Sequence, residues 1–102
     1  MKFKFSNKEL EVLYTTGKSK KNKIPSNVVD KFFARLQQIE AAHTIYDLWN
    51  DKGLNFEKLQ GLPNTYSMRL TIKYRLEMQI NWENNEETVG EFTITHLSNH
   101  YQ

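Results

Sequence analysis

The feature that most constrains this chain is a change of hydrophobic period near its middle. Before it, apolar residues recur at helical spacing. Val29, Phe32, Phe33, Leu36 and Ile39 fall at i, i+3, i+4, i+7 and i+10, which predicts an amphipathic helix of about four turns opened by Pro25 and Ser26. From Tyr66 onward the period is two. Met68, Leu70 and Ile72 alternate with Ser67, Arg69 and Thr71, and Leu76, Met78, Ile80 and Trp82 alternate with Arg75, Glu77, Gln79 and Asn81. That alternation predicts two antiparallel strands with one buried face each. Asn84 to Glu87 has the residues of a turn. A third strand is expected over Thr88 to Leu97, with Phe92 and Ile94 inward.

The first residues fit the same scheme. Phe3 and Phe5 alternate with Lys2 and Lys4, as in a half-buried strand. Ser6-Asn7-Lys8-Glu9 has capping-box spacing, which sets Ser6 as the N-cap of a short helix carrying Leu10, Leu13 and Tyr14. Gly17 is its expected stop. Two helices joined by a short loop form an αα-hairpin. Thr44 to Trp49 suggests a third helical turn, with Ile45, Leu48 and Trp49 inward and Gly53 ending it. The fold class is therefore α+β: an N-terminal strand and an αα-hairpin packed on one face of an antiparallel sheet. A chain of 102 residues without internal repeat or domain boundary is expected to be one domain, 1–102.

One sheet face is then polar, and its contents matter. A hairpin turning about Ile72 sets Arg69 opposite Arg75, and like charges facing each other are unfavourable. Glu77 or a bound anion is expected to compensate. Charge along the chain is also uneven. Residues 1–23 carry seven lysines and two glutamates, a net of +5, while the rest carries seven basic and ten acidic residues, a net of −3. The lysine-rich stretch Lys18, Lys20, Lys21 and Lys23 suits a polyanion, and equally suits a solvated loop. The absence of cysteine excludes disulfide scaffolds and thiol catalysis, and fits a reducing cytoplasm. Signal-peptide and membrane-span patterns are missing too, so no membrane partner is expected.

No metal-ligand spacing, phosphate-binding glycine loop or nucleophile elbow occurs, so neither a metal nor another cofactor is expected. What remains is a basic and aromatic set in the second half: Lys58, Tyr66, Arg69, Lys73, Tyr74, Arg75, His96, His100 and Tyr101. Cleaving RNA without a metal needs a group to take the 2′-hydroxyl proton, cations for the phosphate, and an acid for the leaving 5′ oxygen. Arginine forks suit phosphate, histidine can exchange protons near neutrality, and aromatic rings stack on unpaired bases. These residue types also occur as packing and surface groups in proteins of other functions. Arg69 and Arg75 also fit ordinary surface arginines paired with Glu77 and Glu91, and His96 a strand histidine satisfied by a neighbour.

The ordered set of segments resembles the HigB-like toxins of the RelE/ParE superfamily. The stretch Leu36 to Ala42 with Tyr46-Asp-Leu48 resembles their helix and following segment. Leu59-Gln-Gly61 is similar to their Leu-Lys-Gly, Tyr66-Ser-Met-Arg-Leu70 to their Trp-Ser-Ile-Arg-Ile, and Tyr74-Arg-Leu76 to their Trp-Arg-Ile. The opening Phe5 to Leu10 looks like the family's start, and the tail Ile94 to Tyr101 resembles its terminal strand ending in Asp-Tyr-His. The resemblance implies a RelE-like fold and a toxin of a type II toxin–antitoxin system. It implies a metal-independent, ribosome-dependent endoribonuclease cutting messenger RNA in the A site. It also implies neutralisation by a helix-turn-helix, HigA-like antitoxin, with operator DNA contacted only through that complex. Carried over residue by residue, the family's site falls on Arg69, Arg75 and His100, with Tyr101, Glu57 and Lys58 in support. Lys58, Lys73 and the lysines at 18, 20, 21 and 23 are the expected RNA contacts.

Three departures stand out. Glu57 and Gln60 replace a histidine and a lysine of some members, and the terminal Asp-Tyr-His becomes Ser98-Asn99-His100 followed by Tyr101. These changes leave two alternatives open: a ParE-like gyrase inhibitor, or an inactive module that keeps only antitoxin or ribosome binding.

Overall fold

The computed structural model describes residues 1–19 and 24–99. The change of period marks the boundary between the two layers. Strand β1 (Phe3–Phe5) leads into helices α1 (Lys8–Thr16), α2 (Ser26–Ala41) and α3 (Ile45–Trp49). A 3-10 turn (Lys52–Leu54) follows, then β2 (Glu57–Lys58), β3 (Thr65–Arg69), β4 (Tyr74–Trp82) and β5 (Gly90–Asn99). The five strands form one sheet in the order β1-β5-β4-β3-β2. The sheet is mixed rather than wholly antiparallel, because β1, the first strand, pairs parallel with β5, the last, Phe3 beside Phe92 and Phe5 beside Ile94. The other ladders are antiparallel.

Even-numbered residues of β3 and β4 face the helices. Tyr66, Met68, Leu76, Met78 and Ile80 are buried there with Phe92 and Ile94 of β5. Val28, Phe32, Leu36 and Ile39 of α2 cover them, with Leu10 and Leu13 of α1. Val29 and Phe33, also expected inward, lie half-buried beside this stripe, and Phe33 stacks on Tyr14 of α1. Burying large aliphatic and aromatic side chains contributes about 1.5–3 kcal/mol each, so this face supplies most of the driving force.

Local chemistry departs from expectation in four places. The N-cap of α1 is Asn7, not Ser6: its side-chain oxygen accepts from the backbone N–H of Glu9 and Leu10. A one-residue shift suffices, because either residue type can cap. Gly17 ends α1 in the left-handed conformation, as expected. Helix α3 ends at Asn50, and Gly53 lies inside the 3-10 turn instead. Trp49 is 43% exposed, with one face packed on Phe56. Ile72 is 69% exposed because β3 stops at Arg69 and Ile72 falls in the turn.

Candidate functional site

The face of the sheet away from the helices is built from the odd-numbered residues of β3 and β4. Its register is set by the ladder. Arg69 stands directly opposite Arg75, as the hairpin spacing implied, and Ser98 stands opposite Arg75 on its other side. One row over, Glu57, Ser67, Glu77 and His96 line up across four strands.

The two arginines differ sharply in their surroundings. Arg69 is exposed, and its guanidinium bonds to none of the described residues, while its carbonyl accepts from Nε of Arg35 at 2.9 Å. Arg75 is 6% exposed and lies across the sheet surface. Its Nε and Nη2 donate to Oγ of Ser67 at 3.1 and 2.7 Å. Nη2 also donates to the carbonyl of Asn55 at 2.9 Å and meets Glu57 Oε1 at 3.2 Å. Nη1 has no partner among the described residues. Asn55 presents its carbonyl because it ends the 3-10 turn in the left-handed conformation, φ 45°, which asparagine tolerates better than most residues. Ser67, 1% exposed, has its hydroxyl taken up by the guanidinium. So Arg75 is fixed through Nε and Nη2, while Nη1 is not bonded among the described residues.

The compensation for the facing arginines therefore comes from Glu57, not Glu77, and only Arg75 receives it. Glu91, the other acid considered, pairs with Lys4 at 3.3 Å.

Other candidate residues scatter. Lys73 is exposed in the turn between β3 and β4, two residues from Arg75. Lys58 stands opposite Tyr66 and so belongs to the opposite face from Glu57, at the sheet's edge. Lys18 lies just past α1, in the helical layer. Lys20, Lys21, Lys23, His100 and Tyr101 lie outside the described residues. Among the described residues, no group of three His, Cys, Asp or Glu is placed to hold a metal ion.

Two residues of the Arg75 setting escaped the sequence reading. Ser67 shares the parity of Arg69 and Arg75, so alternation alone assigned it to their face. Asn55 acts through its backbone, which leaves no side-chain signature.

Residues 3–94 match the family described as RelE-like toxin of type II toxin-antitoxin system HigB. The chain belongs to the HigB-like toxin family. A partner antitoxin comes with that membership. No curated protein matches this HigB-like toxin in sequence. Among solved structures it is similar to a YoeB/ParE toxin from Agrobacterium tumefaciens. The TM-score is 0.55 at 15% identity, over 99% of this chain and 100% of that one. At that identity the likeness concerns the fold, which is RelE-like. No helix of the described residues is long and apolar enough to cross a membrane.

Proposed function

We propose that this HigB-like toxin is a ribosome-dependent endoribonuclease that cuts messenger RNA in the A site and so stops translation. The observation that carries the reading is the facing pair Arg69 and Arg75 on the sheet face away from the helices, with no partner for the Arg69 guanidinium among the described residues. Facing like charges are tolerated where an anion completes the arrangement. A phosphodiester has the right charge and oxygen geometry for two guanidinium groups. In this reading Arg69 and Arg75 hold the scissile phosphate and His100 moves a proton, with Tyr101 and Glu57 in support. Lys73, Lys58 and the lysines at 18, 20, 21 and 23 meet RNA by charge. The reaction needs no metal, because two arginines supply the charge that a cation would.

The same reading makes the chain a single toxin domain, 1–102, acting in the cytoplasm. A helix-turn-helix, HigA-like antitoxin neutralises it, and operator DNA is reached only through that complex. The test is induced expression with messenger RNA 5′ ends mapped at codon resolution, beside Arg75→Ala and His100→Ala. In-frame cuts that disappear in the variants support the reading. Growth arrest without cuts would overturn it in favour of gyrase inhibition. Neither arrest nor cuts would leave a module that only binds.

A further inference from the structure

Strand β5 changes sides part-way along. Phe92 and Ile94 point to the helices and pair with Ile80 and Met78. The ladder then skips a residue: Met78 opposes Ile94, but Glu77 opposes His96. Thr95 is therefore a bulge, the device that re-aims side chains beside functional sites. Beyond it Leu97 opposes Leu76 on the helix side, while His96 and Ser98 turn out to the open face, opposite Glu77 and Arg75. A regular strand would have left His96 on the apolar face with Ile94.

The bulge is fixed from both sides. Thr95 Oγ1 donates to the carbonyl of Glu77 at 3.2 Å. The carbonyl of Thr95 accepts from Nδ2 of Asn7 at 3.0 Å, and the same Asn7 caps α1 through its oxygen. Its displaced backbone is thus satisfied, as a permanent feature requires.

The consequence is a histidine on the same sheet face as the arginine pair. Cross-strand partners lie about 4.5–5.5 Å apart at Cα, and the next row on the same face is about 7 Å along the strand. His96 stands across from Glu77, one row from Ser98 on its own strand, diagonal to Arg75 on β4 and two strands from Arg69 on β3, with the Arg75 guanidinium turned toward Ser67 and Glu57. It is exposed, and its ring has no hydrogen-bond or ion-pair partner among the described residues. The strand histidine satisfied by a neighbour, expected from sequence, is not what the fold builds. The acid facing it is Glu77, half-buried on β4. On its other side Ser6 and Asn7 bring a hydroxyl and an amide but no charge.

We infer that His96 is a catalytic residue of the cleavage reaction, the base that accepts the 2′-hydroxyl proton, with Glu77 as its positioning residue. The inference rests on the nuclease reading above and deepens it. The 2′ oxygen bonds to phosphorus as its proton passes to the imidazole, and the bond to the 5′ oxygen breaks. The leaving oxygen takes the proton that the nuclease reading assigns to His100, and the His96 imidazolium returns one to that group through water, so protons balance. The products are a 2′,3′-cyclic phosphate and a 5′-hydroxyl, with no change of oxidation state. Arg69 and Arg75 hold the phosphate throughout, and Glu77 faces the imidazolium formed in the step.

The test is single-turnover cleavage of a defined messenger RNA on programmed ribosomes, comparing wild type with His96→Ala, His96→Gln and Glu77→Gln. His96→Gln is expected to slow cleavage by about 100-fold or more, with ribosome binding unchanged. Added imidazole is expected to restore part of the rate to His96→Ala, and Glu77→Gln to move the acid limb of the pH–rate profile. If wild type cuts and His96→Gln cuts as fast, the inference falls and the nuclease reading stands. A slow His96→Ala that imidazole does not restore, with the wild-type pH profile intact, would also overturn it. Absence of cleavage by wild type would remove the nuclease reading itself.

Discussion

The two faces of the sheet are made from alternate residues of the same strands, yet they are held by different forces. The helix-side face is continuous apolar contact. Phe92, Ile94, Met78 and Leu76 are fully covered by side chains from α1 and α2. The open face is a hydrogen-bonded polar surface, in which Ser67 and Arg75 are buried against each other beside the end of the 3-10 turn. The difference teaches where each kind of precision comes from. Packing sets the fold, and a few directional bonds on the other side set the aim of one guanidinium. The same substitution should therefore cost stability on one face and function on the other.

The largest effect tests the first half of that contrast. Phe92→Ala removes a fully buried ring near the start of β5 and leaves a cavity in the core between sheet and helices. We expect a loss of about 3–5 kcal/mol, read as a lower urea midpoint at unchanged slope. A loss below about 1 kcal/mol would mean that the apolar face does not dominate stability.

Next comes Ser67→Ala, on the other face. It deletes the acceptor of two Arg75 donors, in a place where water has little access. A hydrogen bond to a charged group is worth about 1.5–3 kcal/mol, so a loss in that range or below is expected. The sharper reading is functional: Arg75 is no longer fixed in plane, so cleavage should fall more than stability alone explains, and Ser67→Thr should retain the hydroxyl and most of the rate. Equal rates in Ser67→Ala and wild type would break the contrast, because the polar face would then aim nothing.

How much of this was legible in the sequence follows from the same contrast. Strand parity is a strict period of two, so the apolar face of β3 and β4 and the Arg69–Arg75 pairing could be read from alternation and one turn position. The helices were legible from their stripe, but their ends were not. Ser6 and Asn7 are both good caps, and only the tertiary contact of Asn7 with Thr95 separates them. The parallel pairing of β1 with β5 spans three helices and three intervening strands, and no local pattern records it. The site was least legible where backbone does the work. The Asn55 carbonyl has no side-chain signal, and the bulge at Thr95 inverts parity without any glycine to mark it. Glu57 was singled out by resemblance, while its partner Arg75 became evident only when β2 was seen to pair with β3.

A smaller effect separates two roles for Glu57. Its carboxylate is half-exposed, at 51%, and touches Arg75 at 3.2 Å. An ion pair with one partner so open to water is worth about 0–1 kcal/mol, so Glu57→Gln should leave the urea midpoint nearly unchanged. If Glu57 only occupies the guanidinium until RNA arrives, the variant should bind RNA no more weakly and cut at a similar rate. If it is the base, its loss should slow cleavage by about 100-fold and transfer the proton role away from His96.

The smallest difference between the two sides appears in acid. On the helix side, the exposed carboxylate of Asp47 accepts from the backbone N–H of His43 at 2.7 Å and of Thr44 at 3.3 Å, closing the start of α3. The bond from His43, then that from Thr44, holds its carboxyl below the usual aspartate value. Folded Asp47 thus releases its proton more readily than in the unfolded chain, which binds protons first as the pH falls. The cap's electrostatic contribution is complete above the unfolded value, about 3.9, and is lost as the pH drops through the lower folded one. Asp47→Asn lacks that charge at every pH. The gap in urea midpoint between wild type and variant should therefore be constant near neutrality and close in acid, while cleavage at neutral pH is untouched. A gap that stays open in acid would show that the amide fails the cap by shape, leaving charge on the helix side with no part in stability.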